Sequence, residues 1–429
     1  MQNSIISDRL KPYLGPQIYT QFTQLAIQKE CVNLGQGFPN YPSPQFLRQA
    51  ISEEALVESL QYTSTSGLPR LLKSGAEFFS KHIGISIDSE KEISIGAGAQ
   101  TILVSVFQAI LNKGDEVICF DPSFDVYKPM IEFQGAKQIG IALKIGKWNN
   151  KEEMLRKFEN GIFRQDKEDI WKIDLDSLKY HLNDKTKMII LNSPQNPNGK
   201  VYDQEELDQL ADILENYPNV VICEDAAYHH LPFGDYEIFN YPRSISHKRL
   251  SKKTICVISA GKMFSATGLR VGFAIGPESI IKGVKAAQTY HLFCLNPIMQ
   301  AATAKSLELC MDGQYFKEKR IFYEKQAQTL LKGLVESRLN LNYMVPSGGY
   351  FLLTDISNVE IPEQYFIHPD TKETLSRDFA FVYYLANEFG VVCIPMSPYY
   401  SDKRIGEKLV RWAFCKTDET IQEACRRLK

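Results

Sequence analysis

The sequence has 429 residues, and its 49 lysines and arginines against 51 aspartates and glutamates give a net charge of −2. This balance offers no basic surface that would argue for a nucleic acid partner. With 44% hydrophobic and 23% charged residues, the composition is that of a globular protein and excludes a disordered or fibrous one. No apolar run approaches the roughly 18 residues of a membrane span, so we expect no membrane partner either.

Short apolar runs alternate with longer helical patterns over about the first 300 residues. The runs are rich in Val and Ile without strict polar alternation, which favours strands buried on both faces. The alternation predicts an α/β fold with an open, mostly parallel sheet and helices on both faces, among them Ala99–Leu111 and Glu205–Tyr217. The seven predicted strands are Glu92–Ile95, Glu116–Phe120, Lys137–Ile141, Met188–Leu191, Val220–Cys223, Thr254–Ile258 and Val271–Ile275.

The pattern changes near residue 300. Two long helices are predicted over Pro297–Met311 and Phe316–Ser337, and a third over Leu375–Phe389. The segment Gly390–Ile394 is typical of a strand. This part of the chain therefore indicates a separate, smaller α+β domain.

Nine cysteines are scattered along the chain without a Cys-x-x-Cys pair. Their odd number argues against a disulfide framework and favours a reducing compartment. The residues from Met1 to Asp8 contain no apolar signal core. We therefore expect a cytoplasmic protein.

In an open parallel sheet, ligands bind beyond the carboxyl ends of the strands, so the loops that follow the strands are the first candidates for a binding site. Gly96-Ala97-Gly98 follows a predicted strand and precedes a helix, and its glycines would let backbone amides approach an anion. A tight turn without a ligand explains the pattern equally well. The pattern also resembles half of a dinucleotide fingerprint, but Thr101 occupies the place of the third glycine.

Three further strand ends carry polar side chains. Asn196 could donate two N–H bonds, and Asp225 could bind a cation or a protonated ring nitrogen. Lys262 lies among small residues, where a lowered pKa would make it an amine nucleophile, and Arg270 could bind a phosphate. A turn, a helix cap and a solvated lysine are the ordinary alternatives. All these loops follow strands of one predicted sheet, and this favours a common site.

Together, Asn196-Pro197, Asp225-x-x-Tyr228 and Ser259-x-x-Lys262 followed by Arg270 resemble the fold-type I pyridoxal-phosphate (PLP) aminotransferases of class I/II. The segments Val32–Pro39, Pro122–Tyr127 and Ser259–Gly268 are similar to the subgroup of kynurenine aminotransferase, glutamine transaminase K and cysteine-S-conjugate β-lyase. The resemblance runs from about Tyr19 to the C-terminus. It implies the type I fold, PLP as cofactor, and an amino acid and a 2-oxo acid as substrates.

The resemblance also implies catalytic and ring-binding roles. Lys262 would hold the cofactor as a Schiff base and, once freed, move the proton between the substrate α-carbon and the cofactor. Asp225 would pair with the protonated pyridine nitrogen. Tyr228 and Asn196 would hydrogen-bond the phenolic oxygen, and Phe124 would stack on the ring.

The phosphate would lie on the backbone amides of Ala99 and Gln100, beside Ser259 and Arg270. Tyr62 resembles the tyrosine that reaches the phosphate from the partner subunit. The resemblance therefore implies a homodimer with shared active sites.

For the substrate, Arg411 resembles the carboxylate-binding arginine, whose planar fork matches a carboxylate. Gly37 would let the backbone close over the substrate, and Asn196 would also bind the substrate. Tyr19 and Leu295 resemble residues of the side-chain pocket. The resemblance divides the chain into an N-terminal segment (1–45) that joins the small domain, a large PLP-binding domain (46–300) and a small C-terminal domain (301–429).

We therefore expect a ping-pong aminotransferase that takes the amino group from kynurenine or another aromatic or large neutral amino acid. A cysteine-S-conjugate β-lyase or a methionine- or glutamine-type transaminase would use the same residues. A nicotinamide-dependent oxidoreductase and a binding module with an inactive site are more distant alternatives. No cluster in the sequence has the spacing of a metal site, and we expect the Asn196–Pro197 peptide to be cis.

Overall fold

A computed structural model describes residues 5–57, 60–161, 163, 170–234, 236 and 239–429. Its α-helices are α1 (Ile18–Gln28), α2 (Gln45–Val57), α3 (Pro69–Ile83), α4 (Ala99–Ile110), α5 (Tyr127–Glu132), α6 (Lys151–Glu159), α7 (Leu175–His181), α8 (Gln204–Leu214), α9 (Ala260–Met263), α10 (Glu278–His291), α11 (Pro297–Leu309), α12 (Gln314–Glu336), α13 (Arg377–Phe389), α14 (Lys403–Gly406) and α15 (Asp418–Leu428). Its strands are β1 (Val32–Asn33), β2 (Ile93–Gly96), β3 (Glu116–Asp121), β4 (Lys137–Ala142), β5 (Thr186–Asn192), β6 (Val221–Asp225), β7 (Thr254–Ser259), β8 (Gly272–Ile275), β9 (Asn342–Tyr343), β10 (Phe351–Asp355), β11 (Val391–Val392), β12 (Ile394–Pro395) and β13 (Leu409–Ala413).

The central sheet of the described residues has seven strands in the order β2-β8-β7-β6-β5-β3-β4. β8 runs antiparallel to both of its neighbours, β2 and β7, and the other described pairs are parallel, which confirms the predicted α/β fold with a mostly parallel sheet. Every residue of β2, β7 and β8 is buried, as the apolar runs predicted. The prediction was wrong for β4, of which only Ile141 is buried, because this strand lies at the edge and pairs with β3 alone.

The carboxyl ends of the parallel strands meet at one edge of the sheet. Asn192, the last residue of β5, is in register with Asp225, the last residue of β6. Asp225 is in turn paired with Val257 in β7, which ends at Ser259 directly before the short helix α9. Three of the four loops singled out in the sequence are therefore neighbours in space.

The C-terminal third contributes an antiparallel sheet of described strands in the order β12-β13-β10-β9. The predicted strand over Gly390–Ile394 is split: β11 pairs with β1, whereas β12 pairs with β13. The chain switches partners at Cys393, a change that a continuous apolar pattern cannot show. The pairing of β1 with β11 joins residues near the N-terminus to the C-terminal part, while the domain bounds at 45 and 300 stay a prediction.

Helix ends follow local capping chemistry. Pro69 opens α3, and Gly84 ends it in the left-handed conformation with a φ of 76°. Asp203 and Glu206 form a reciprocal capping box at the start of α8, which ends at Leu214 rather than at the predicted Tyr217. Within the described residues, no helix is long and apolar enough to cross a membrane. All nine cysteines are free thiols.

Candidate active site

A cavity of about 270 Å³ lies at the carboxyl edge of the central sheet, between the sheet and the C-terminal strands. All but two of the predicted site residues line it, although they come from distant parts of the sequence. The predicted residues that line the cavity are Tyr19, Gly37, Ala99, Gln100, Phe124, Asn196, Asp225, Tyr228, Ser259, Lys262, Arg270 and Arg411.

Lys262 projects into this cavity from α9. Its Nζ donates hydrogen bonds to the carbonyl oxygen of Gly37 at 3.0 Å and to the hydroxyl of Tyr350 at 2.7 Å. Burial, with a smaller contribution from the positive charges of Arg411 and Arg270, lowers the pKa of Lys262 to about 8. A substantial fraction of this amine is therefore neutral near physiological pH and can act as a nucleophile or a base.

Asp225 presents a buried carboxylate at the end of β6, only 5% exposed. It accepts a hydrogen bond from the hydroxyl of Tyr127 at 2.5 Å and one from the backbone amide of Ala227 at 3.2 Å. Burial raises the pKa of Asp225, and the bond from Tyr127 is the largest opposing influence. Because both described donors are neutral, a cationic group in the cavity would stabilise this carboxylate.

The N-terminus of α4 forms a second polar wall. Gly98 precedes the helix with a φ of 86°, and the guanidinium of Arg270 packs so closely that a Cβ on Gly98 would lie 2.7 Å from it. Arg270 donates to the carbonyl oxygens of Thr267 and Ala97, which are neutral. Free helix amides beside a guanidinium and the hydroxyl of Ser259 make a site that suits a phosphate.

Arg411 on β13 supplies a third charge, and it is 1% exposed. Its guanidinium donates to Asn196 Oδ1 at 2.9 Å, to the Tyr399 hydroxyl at 3.1 Å and to the carbonyl oxygen of Gly35 at 2.9 Å. These acceptors are neutral, and its Nε has no hydrogen-bond partner among the described residues. The ring of Phe351 lies 4.0 Å from the guanidinium carbon. Such a cation suits a ligand carboxylate.

The loop after β5 places Asn196 between these groups. The Asn196–Pro197 peptide is cis, as predicted, and so is Ser193–Pro194. The backbone amide of Asn196 donates to Asn192 Oδ1 at 2.6 Å, and the Asn192 side chain donates to the carbonyl oxygen of Asp225 at 2.7 Å. This short network ties the loop to the end of β6.

Two predicted site residues do not line the cavity. Tyr62 is 81% exposed, and its ring meets that of Phe293 edge-on at 5.0 Å. Leu295 is buried, and its carbonyl oxygen accepts a hydrogen bond from Gln300. Their predicted roles toward a phosphate and a substrate stay predictions.

Several residues that shape the site were not predicted from the sequence. Tyr127 holds Asp225, and Tyr399 contacts Arg411. Tyr350 contacts Lys262, and Phe351 packs under Arg411. Both lie directly after Gly348-Gly349, a glycine pair followed by two aromatic residues. Such a pair is a usable signal for a tight turn that lets the chain approach a ligand closely.

Known proteins resemble this chain along nearly its whole length. Residues 29–428 match the family described as aminotransferase class I and II. Kynurenine–oxoglutarate transaminase of Dictyostelium discoideum is 36% identical over 418 residues, covering 96% of this chain and 93% of that protein. The human kynurenine–oxoglutarate transaminase 3 is 33% identical and covers 96% and 87%.

The fold comparison leads to the same family. The crystal structure of an Escherichia coli protein with a methionine aminotransferase function superimposes with a TM-score of 0.84 at 28% identity, covering 99% of this chain and 98% of that one. Matches over nearly the whole chain by sequence and by structure confirm the predicted resemblance. The chain belongs to the class I and II aminotransferase family, and it is a transaminase.

Proposed function

We propose that the protein uses PLP to transfer an amino group from kynurenine, or another aromatic or large neutral amino acid, to a 2-oxo acid. The observation that carries this proposal is the meeting of Lys262, Asp225 and Arg411 in one cavity. The buried amine of low pKa suits the cofactor aldehyde, and the buried carboxylate suits the ring nitrogen of the cofactor. The buried guanidinium, whose hydrogen-bond partners are neutral, suits the carboxylate of the substrate.

The described residues fit PLP. Lys262 Nζ would bind the aldehyde carbon, Asp225 would pair with the ring nitrogen, and Arg270 with Ser259 and the amides at the start of α4 would bind the phosphate. Phe124 lines the same cavity and would cover a face of the ring. When bound, this cofactor supplies an electron sink for the substrate α-carbon.

The chain's own groups would then handle the substrate. Arg411 would bind the α-carboxylate through its fork, which fixes the α-carbon relative to Lys262. The neutral Nζ of Lys262 would accept the α-proton and later return it. After the first product leaves, the 2-oxo acid would occupy the same cavity with its carboxylate on Arg411, which is the ping-pong order. Tyr228 and Asn196 line the cavity where they could orient the ring oxygen.

The choice of substrate rests on the cavity wall and on the relatives. Tyr19, Phe38, Phe124 and Phe351 are aromatic lining residues, which suits an aromatic or large neutral side chain. Relatives named for kynurenine and one named for methionine both match this chain. The family match gives no support to a nicotinamide-dependent reaction, which would have no use for Lys262 or Asp225.

A cysteine-S-conjugate β-lyase is the second candidate, because removal of the same α-proton can expel a leaving group on the β-carbon. Release of pyruvate from a cysteine S-conjugate would identify elimination. Formation of a new amino acid from an added 2-oxo acid would identify transamination.

The main proposal is tested with purified holoenzyme mixed with individual amino acids. We expect the cofactor absorbance to bleach with kynurenine or another large neutral amino acid and to return on addition of a 2-oxo acid. Lys262→Ala should abolish this cycle and the borohydride-stable link between chain and cofactor. Full turnover by Lys262→Ala would overturn the proposal.

We further propose that the protein is a cytoplasmic homodimer with shared sites. Tyr62, which is exposed on its own chain, would reach the phosphate of the partner's site. Nine free thiols support a reducing compartment. We propose the division into a segment at 1–45, a large domain at 46–300 and a small domain at 301–429 on the same basis of family resemblance.

A further inference from the structure

Tyr350 contacts the reactive atom of Lys262 directly. The Tyr350 hydroxyl lies 2.7 Å from Lys262 Nζ and 2.6 Å from the carbonyl oxygen of Gly37. A phenol has one proton, and here it is donated to the Gly37 carbonyl, which has no proton of its own to give. The phenol oxygen is therefore the acceptor for an N–H bond of Lys262.

The position of this hydroxyl is set by a tight turn and by aromatic packing. Gly349, with a φ of 75°, turns the chain immediately before Tyr350. The Tyr350 ring is 1% exposed and packs against the rings of Tyr228 at 4.8 Å, Phe351 at 4.7 Å and Tyr323 at 5.7 Å. A ring held on several sides cannot swing its hydroxyl away from Lys262 without disturbing these contacts.

The hydrogen bonds made by Nζ then determine in which direction its lone pair can point. A neutral lysine amine has two N–H bonds and one lone pair. The oxygens of Gly37 and Tyr350 accept both N–H bonds. The lone pair is left to point elsewhere around the nitrogen, on a side chain that lines the cavity.

We infer that Tyr350 is a further catalytic residue, which holds the Lys262 amine with its lone pair available to the substrate whenever this amine is not bonded to the cofactor. The inference rests on the proposed function. In the step it serves, the substrate Cα–H bond breaks and an N–H bond forms at Nζ, while the electron pair of the broken bond stays on the substrate side. Without the hydroxyl, the amine would sample orientations in which its lone pair does not face the α-carbon.

The test compares two buried tyrosines of the same aromatic cluster. Tyr350→Phe removes the hydroxyl that contacts Lys262. Tyr323→Phe is the matched control, because the Tyr323 hydroxyl is bonded to Tyr41 at 2.6 Å and the Tyr323 ring is equally buried. Both variants lose one hydroxyl and keep the ring, so we expect a similar loss of stability in both.

The first measurement uses the cofactor-free full chain. The rate of reductive methylation of Lys262 is followed against pH by mass spectrometry of its peptide. A phenol oxygen binds an ammonium more strongly than a neutral amine, so Tyr350→Phe should move the midpoint down by about half to one pH unit. Tyr323→Phe should leave it unchanged. Neither variant replaces the other charged and titratable groups around Lys262: Asp225, Arg270, Lys319, Arg411, Cys415 and Tyr228.

The second measurement is the single-turnover half-reaction of the holoenzyme with the amino acid that reacts fastest with the unmodified protein. We expect Tyr350→Phe to slow it about tenfold with little change in substrate affinity, and Tyr323→Phe to stay within about twofold. An unchanged midpoint or rate in Tyr350→Phe, or equal losses in both variants, would overturn the inference. If the unmodified holoenzyme reacts with no amino acid, the proposed function fails instead, and the methylation midpoint still tests the contact with Lys262.

Discussion

Asp225 and Arg411 are buried charges, and all of their described hydrogen-bond partners are neutral. Removing a charge from water costs several kcal/mol, and neutral hydrogen bonds offset only part of that cost. Neither side chain is explained by stability alone. Lys262 acts on Asp225 and Asp125 on Arg411 through their charges, but among the described residues neither makes a hydrogen-bonded ion pair there. A cationic ring nitrogen at Asp225 and a carboxylate at Arg411 would each supply a directly bonded opposite charge, so these two residues are the strongest single-residue evidence for a ligand site.

Arg411→Lys keeps the charge but loses the planar fork that matches a carboxylate. We expect KM for amino acids to rise about ten- to a hundredfold, while kcat falls less, since the ammonium makes fewer directed bonds. Steady-state kinetics would check this. The amine that corresponds to the substrate without its carboxylate serves as control and should react equally slowly with both proteins. An unchanged KM would remove Arg411 from the carboxylate site.

His229 and His230 follow Tyr228 and are fully buried. Burial holds the pKa of each imidazole well below its usual value of 6.5, so the folded chain binds fewer protons than the unfolded chain in acid. The stability linked to the neutral imidazoles is complete above pH 6.5 and is lost as the pH falls below it. The slope is up to about 1.4 kcal/mol per pH unit for each histidine.

Urea unfolding at pH 7.5, 6 and 5 would measure this effect. We expect His230→Phe to be less sensitive to acid than the unmodified protein. His291→Gln, a change at an exposed position, should retain the full sensitivity. Parallel stability curves for all three proteins would show that the buried imidazoles are not responsible.

At the scale of elements, the proposed phosphate site depends on how β2 joins α4. The chain must turn within Gly96-Ala97-Gly98 so that the first helix amides face the cavity, and Arg270 fills the space where a Gly98 side chain would be. The helix end supplies oriented N–H groups, and the guanidinium supplies the charge. The site therefore belongs to the junction of two elements rather than to either one.

Gly98→Ala should weaken PLP binding at least tenfold, because its Cβ would push the Arg270 guanidinium out of place. The positive φ of Gly98 adds about 1–2 kcal/mol of backbone strain. Gly84→Ala is the matched control, since Gly84 also has a positive φ of 76° but has open space around its Cβ position. Equilibrium titration of the cofactor-free chain with PLP and urea unfolding separate the two effects. Equal losses of PLP affinity in both variants would contradict the proposed phosphate site.

A helix or strand could be predicted when a local sequence pattern indicates it. The predicted strands of the central sheet all form, because a short apolar run rich in Val and Ile is a signal that the sequence shows directly. The split of Gly390–Ile394 into β11 and β12 was not predictable, because both halves are apolar and only their partners, β1 and β13, differ. Partner choice is a long-range property with no local pattern.

At the scale of the whole molecule, large apolar side chains remain on the surface near Tyr62. Tyr62 and Phe293 contact each other and are both exposed, as are Leu56 and Leu60 nearby in the sequence. Exposed apolar groups of this kind are typical of protein interfaces. They are the surface on which we expect a second copy of the chain to bind, with Tyr62 completing the partner's site.

Mixing two variants, each expected to be inactive alone, tests this arrangement. In a mixed dimer of Lys262→Ala with Tyr62→Ala, one site combines an intact Lys262 from one chain with an intact Tyr62 from the other. We expect part of the activity to return after the two variants are unfolded and refolded together, and none when each is refolded alone. Light scattering should give twice the mass of the chain. Monomers, or no return of activity, would contradict the shared site.

The sequence by itself determined the sheet, the residue types of the site and the family, since apolar runs, strand-end loops and the Asn-Pro, Asp-x-x-Tyr and Ser-x-x-Lys motifs are all local patterns. Only the tertiary structure decided which other side chains form hydrogen bonds with these site residues. Tyr350 reaches Lys262 across 88 positions and Tyr127 reaches Asp225 across 98, because folding brings the ends of distant elements together at one edge of the sheet. The pKa of Lys262 also follows from that packing, since burial among charges from several elements lowers it.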